Sequence, residues 1–276
     1  MSNDPQESLD LFDEHEEIVS EDGKKVKRKG IYLLPNLLTT ASLFAGFFSI
    51  VSAINGNFVY AGMAIFASQM LDGLDGRVAR LIDGTSEFGK ELDSLTDFVS
   101  FGIAPAFILY FWELKNYGKI GWAITLLFSV CCVLRLARFN LTKIDKQEEW
   151  RMNFFEGVPS PAGAGLVLLP LIFELSNFDF AFEVRGLTPY LAVFVSILLI
   201  SKIPTFSFKK IAIKRKLTIF LFLGIGIASI SLIFFTFETL LFMGLIYLIL
   251  IPIAFLFYRK KSSNQASLED EHEDIL

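Results

Sequence analysis

Residues 71–97 read LDGLDGRVARLIDGTSEFGKELDSLTD. Asp72, Asp75, Asp93 and Asp97 lie here among long apolar runs, where a carboxylate is costly unless its charge is compensated. With 3.6 residues per helical turn, Asp72, Asp75 and Ala79 fall on one face of a helix, with Arg80 beside them. Gly89, Asp93 and Asp97 recur at i, i+4 and i+8 and share one face of the next helix. Between the two, Asp83-Gly84-Thr85-Ser86 reads as a break: Gly84 suits a C-cap, Thr85 or Ser86 an N-cap, and Glu87 the first turn that follows. So short a connection makes the helices antiparallel neighbours and lets the acidic faces meet.

Four carboxylates that close cannot all ionise without positive charge between them. Two divalent cations would supply it, and an all-oxygen ligand set suits an octahedral ion such as Mg²⁺ or Mn²⁺. A two-metal site of this kind can bridge a phosphate and steady a leaving oxygen. Gly73, Gly76 and Gly89 lack side chains where a ligand or a neighbouring helix would approach, whereas Asp83, Glu87 and Glu91 read as caps or interfacial residues.

The rest of the chain has the composition of a membrane scaffold. Its 276 residues are 53% hydrophobic, include 30 Phe and have a mean hydropathy of +0.52, more apolar surface than one water-facing core would need. The formal net charge of -5 is concentrated at the two ends, leaving the membrane part basic, and no nucleic-acid partner is expected. Cys131 and Cys132 are adjacent in an apolar run and read as packing residues; His15 and His272 lie in polar tails, which argues against a histidine metal site.

Residues 1–29 read as an acidic, then basic, solvated tail, with Lys24, Lys25, Lys27, Arg28 and Lys29 placed to meet an anionic membrane surface. No secretory signal peptide is expected. Apolar segments near 38–54, 58–82, 87–111, 120–139, 162–176, 188–203, 217–235 and 239–258 predict an all-α polytopic helix bundle of about eight spans, six or seven being the alternatives. The fifth and sixth are short, and Pro161 and Pro170 weaken the fifth. With eight spans and the N-terminus inside, every one of the 25 Lys and Arg except Lys115, Lys119 and Arg185 falls on one side. Cytoplasmic loops carry that excess, so the four aspartates and both termini are expected at the cytoplasmic face of the cell membrane. The transmembrane domain spans 30–258, and residues 259–276 are expected to form a disordered acidic tail.

Written as a pattern, the stretch is Asp72-x2-Asp75-Gly76-x2-Ala79-Arg80-x8-Gly89-x3-Asp93-x3-Asp97. It resembles the complete signature of the CDP-alcohol phosphatidyltransferases, which have a six-helix core. Pro35–Thr39, Leu92–Pro105, Leu134–Asn140 and Gly157–Ala162 are similar to the membrane-embedded phosphatidylserine synthase branch, over residues 30 to about 165. The glycerol-phosphate branch tends to carry proline after the third aspartate and lysine after the fourth; here Ser94 and Phe98 stand there.

The resemblance implies attack of the L-serine hydroxyl on the β-phosphorus of CDP-diacylglycerol, with release of CMP, by a homodimeric enzyme surrounded by membrane lipids. Asp72, Asp75 and Asp93 would be metal ligands, and Asp97 the general base and a ligand of the second ion. Gly76, Ala79 and Gly89 would line the CDP moiety with Arg80, and Asn36, Thr39 and Asn140 are candidate polar contacts. Arg135 and Arg138 would bind a phosphate or the serine carboxylate, or else anchor the inner end of span four. Two rivals remain: the same chemistry with inositol phosphate, glycerol phosphate or an amino alcohol as acceptor, and a divalent-cation transporter whose acids form a permeation site.

Overall fold

Helices that pack inside lipid gain little from burying apolar surface, so their contacts rely on small residues and short polar side chains. The first helix shows this directly. In α1 (Leu33–Ile54), Pro35, Thr39, Ser42, Gly46, Ser49 and Ala53 recur every three or four residues and are buried, while Phe44, Phe47, Phe48 and Val51 point outward. The buried stripe meets α2 (Phe58–Leu81) at Ala61, Ala64, Ile65 and Ser68. Ser42 and Ser68 join the two helices, their hydroxyls 2.8 Å apart and each also 3.1 Å from the other's carbonyl oxygen.

The computed structural model describes residues 33–82, 86–141, 154–176, 178, 183–206 and 218–273. The N-terminal tail with its basic cluster, the Asp83–Thr85 turn and the basic loop residues at 143–151 and 209–216 lie outside the described residues. Ser86 caps α3 (Glu87–Asp97), its hydroxyl oxygen accepting from the Gly89 N–H at 3.0 Å, and Glu87 pairs with Lys90 in the first turn. A π turn, Phe98–Ile103, follows and leads into α4 (Ala104–Trp112). The third span expected as one regular helix is therefore continuous but changes register directly after Asp97. Single π turns often mark functional positions. Gly102 lets this one lie against α5 (Gly118–Leu141), since a Cβ there would stand 3.2 Å from Cys132.

Three further elements differ from expectation. The fifth apolar segment is two short helices, α6 (Ser160–Val167) and α7 (Leu169–Leu175), because Pro170 cannot donate into the preceding turn. Two strands, β1 (Phe154–Glu156) and β2 (Pro204–Phe206), form an antiparallel ribbon in an otherwise helical chain, with Phe155 opposite Thr205. Gly157 turns the chain out of β1 at φ +78, with its N–H 2.9 Å from the Ile203 oxygen. Finally, α10 (Thr236–Glu273) continues as helix through the stretch expected to be disordered, where Lys260, Lys261, Gln265, Ala266, Leu268, Glu269 and Glu271 are good helix formers.

The core lies between α4, α5, α6 and α8 (Thr188–Ile200) and holds Ile108, Leu109, Phe128, Leu166, Val195 and Leu199. Cys131 and Cys132 are free buried thiols, as their apolar setting implied. Leu33–Ile54, Glu87–Trp112, Leu114–Leu141 and Thr236–Arg259 are long and apolar enough to cross a membrane. The outer surface is apolar to match: on α9 (Thr218–Phe234), Ile219 and Phe234 are each 75% exposed. The described residues form an all-α bundle of an integral membrane protein.

A Cβ at Gly46 would stand 2.6 Å from Ser100 Oγ and 3.1 Å from Ser100 Cα, so α1 and the π turn touch backbone to backbone. Gly46→Leu is expected to force them apart at about 1–3 kcal/mol, read as a lower thermal midpoint in detergent; an unchanged midpoint would contradict this packing.

Candidate active site

The two acidic faces predicted from periodicity do meet. Asp72 and Asp75 on α2 and Asp93 on α3 each offer a carboxylate oxygen within 4.8 Å of the others. Asp97 lies one turn beyond Asp93, its carboxyl against that of Asp72, with Oδ1 buried and unpartnered by any protein group. The cost of gathering these groups is offset only in part by the protein. Asp75, 4% exposed, is held by Thr39 Oγ1, which donates to Oδ2 at 2.6 Å, and by the Gly76 N–H, which donates to Oδ1 at 2.5 Å. Asp97 feels the positive charge of Arg135.

Asp93 has no such support among the hydrogen bonds found. The set as a whole carries more negative charge than its neighbours neutralise. Three convergent carboxylates, with a fourth adjacent and a lone oxygen left buried, fit hard divalent cations and no softer metal.

Around the acids, the glycines divide by role. A Cβ on Gly73 or Gly76 would meet nothing within 4 Å, so the chain beside Asp72 and Asp75 is open to an approaching ligand. Gly89 is the opposite case: its Cβ would lie 3.0 Å from Asn36 Oδ1, which makes this glycine a packing point between α3 and α1. Thr39, a candidate substrate contact, hydrogen-bonds Asp75 and orients it. Ala79 is half-buried, and Arg80 is exposed with Nε donating to the Gly76 oxygen at 2.9 Å. Asn140 Nδ2 donates to Ser94 Oγ at 3.0 Å, tying α5 to the acidic helix.

The two arginines differ. Arg138 donates from Nη1 to the Ile200 oxygen at 2.7 Å, so it satisfies a carbonyl at the end of α8 and anchors that helix. Arg135 turns inward, with Nη1 2.5 Å from Ser160 Oγ and Nε buried without a partner among the described residues. Ser160, which the sequence alone does not single out, lies within the Gly157–Ala162 string of the family resemblance.

Residues 32–200 match the model of the family described as CDP-alcohol phosphatidyltransferase. The chain belongs to that family. The match covers every residue of the acidic signature and ends at the last residue of α8. A Helicobacter pylori protein named CDP-diacylglycerol–serine O-phosphatidyltransferase is 40% identical over 232 residues, 84% of this chain and 94% of its own length. Proteins of the same name from Mycobacterium tuberculosis and Bacillus subtilis are 42% and 34% identical, over 66% and 64% of this chain and 64% and 92% of theirs.

Groups that orient a metal ligand typically change metal affinity or activity about 10–100-fold when removed. Thr39→Val, which keeps the shape and loses the hydrogen bond to Asp75, is expected to weaken Mn²⁺ binding by about that factor. Asp72→Ala and Asp93→Ala are expected to weaken it further. Calorimetric titration of the purified protein with Mn²⁺ reads both effects, and affinities equal to wild type would remove these residues from the metal site.

Proposed function

We propose that the chain transfers the phosphatidyl group of CDP-diacylglycerol to L-serine, giving phosphatidylserine and CMP. The observation that carries this reading is the 40% identity to a serine O-phosphatidyltransferase over nearly the whole of that relative, joined to an intact acidic signature. Ser94 and Phe98, in place of the proline and lysine of the glycerol-phosphate branch, point the same way.

Asp72, Asp75, Asp93 and Asp97 would hold two divalent cations, Mg²⁺ or Mn²⁺. Bound there, the ions neutralise the carboxylates and draw charge from the diphosphate of the substrate. Everything else falls to the side chains. The open backbone at Gly73 and Gly76 admits the nucleotide, with Ala79, Arg80, Gly89, Asn36 and Thr39 around it. Arg135 offers a buried guanidinium to an anion beside Asp97.

Asp97 takes the proton from the serine hydroxyl as the new bond from serine oxygen to β-phosphorus forms. The bond from that phosphorus to the CMP oxygen breaks, and CMP leaves with the electron pair. An unpartnered Oδ1 supports this role, since its lone pair is not already engaged.

We read the chain as eight spans, with the acids and both termini on the cytoplasmic side of the cell membrane. The one-sided distribution of Lys and Arg supports that topology. Residues 30–258 then form the transferase domain between tails 1–29 and 259–276, and a second copy of the chain is its expected partner.

Purified protein with CDP-diacylglycerol and Mn²⁺ is expected to release CMP in proportion to added serine, and to lose that activity with a chelator. Incorporation of another labelled alcohol, with none of serine, would overturn the choice of acceptor. Asp97→Asn is expected to lower kcat by about 10²–10⁴-fold while CDP-diacylglycerol still binds. Substantial residual turnover would remove Asp97 as base.

A further inference from the structure

The family match stops at residue 200, yet α10 reaches the same site from later in the chain. Tyr247 on α10 stands beside Arg135 and Thr205, and its hydroxyl is buried with no hydrogen-bond partner among the described residues. Thr205 lies close to it, but no hydrogen bond of good geometry joins the two, and the Thr205 hydroxyl gives its own proton to the Gly157 oxygen at 2.8 Å. Arg135 does not satisfy it either, because a guanidinium only donates. The same Arg135 keeps Nε unpartnered, with Asp97 on its other side. Tyr247 O–H and Arg135 Nε–H, on neighbouring side chains, are thus both buried without a partner among the described residues. Leaving each unpaired would cost about 1–3 kcal/mol.

Tyr247 also borders empty space. With Gln69 and Pro161 it lines a cavity of about 280 Å³ between α2, α6, α7 and α10. Gln69 spends one N–H of Nε2 on the Pro161 oxygen at 2.7 Å, and the tyrosine hydroxyl is the buried polar atom of this lining left without a partner among the described residues. Paired donors of this kind suit a carboxylate, which accepts two hydrogen bonds at once.

Of the two substrates read above, the acceptor carries a carboxylate, one carbon removed from the carbon that bears its reacting hydroxyl. A base at Asp97 and an anion-binding group at Arg135 are adjacent, as such a molecule requires. We propose that Tyr247, together with Arg135, binds the carboxylate of the amino-acid acceptor and selects it over amino alcohols that lack one. The proposal rests on serine being the acceptor.

The test compares L-serine with ethanolamine, its decarboxylated analogue, in the full-length protein with CDP-diacylglycerol and Mn²⁺. Wild type is expected to prefer serine strongly. Tyr247→Phe, which keeps the ring in place, is expected to raise the KM for serine about tenfold or more, with a smaller change in kcat and the preference over ethanolamine reduced to match. CDP-diacylglycerol binding, measured without acceptor, is expected to be retained and reports that the variant is folded.

An unshifted serine KM would overturn the inference. So would an equal loss with both acceptors, or a shift in CDP-diacylglycerol affinity instead, which would assign Tyr247 to the lipid-facing cavity. Absence of serine incorporation in wild type would sink the reading of the acceptor itself, whereas normal incorporation with an unaltered Tyr247→Phe would sink this proposal alone.

Discussion

Four aspartates brought together inside a low-dielectric bundle set the terms for everything around them. An aspartate at the middle of a membrane helix costs roughly 3 kcal/mol, and close carboxylates repel as well. The bundle answers with a neutral donor, Thr39, and a backbone N–H on Asp75, and with a cation, Arg135, near Asp97. These are fewer compensating groups than charges. The shortfall leaves a cluster whose ligand chemistry suits divalent ions, and α1 presents a polar stripe to α2 and α3 where lipid-facing helices present Phe and Leu.

Geometry that depends only on helix periodicity was legible beforehand. The spacing of Asp72 to Asp97 fixes two faces whatever surrounds them, and the Ser86 cap follows from a hydroxyl placed before a helix-forming run. The π turn at Phe98–Ile103 was not legible, because its apolar residues suit an α-helix equally well. The β1–β2 ribbon was missed for a related reason. Three-residue strands are too short to show alternation, and Gly157 and Pro204 were the marks left by its ends.

What each polar residue faces was harder still. Thr39 lies in a motif read as a candidate substrate contact, and its hydroxyl points across to Asp75, a partner 36 positions away that no local pattern announces. Arg135 and Arg138 sit three apart with identical chemistry, and only the fold separates them. One finds a carbonyl at the end of α8; the other finds Ser160 and the acidic site. Tyr247 gave no signal at all, being one aromatic residue in a long apolar helix.

The contrast between those arginines bears on how the site is divided. If Arg135 served only as an anchor at the membrane edge, its guanidinium would be free to reach water or phosphate headgroups and would gain nothing by turning inward. Instead it is half enclosed, engaged at Nη1 and unpaired at Nε, beside a tyrosine hydroxyl that is also unpaired. Leaving buried donors of this sort unfilled costs about 1–3 kcal/mol each, which a bound acceptor would recover. In the proposed mechanism the metal-holding acids act on the nucleotide-linked lipid whichever acceptor follows. Choice among acceptors would then fall to groups beyond those acids, such as the unfilled donors of Arg135 on α5 and its neighbour Tyr247 on α10.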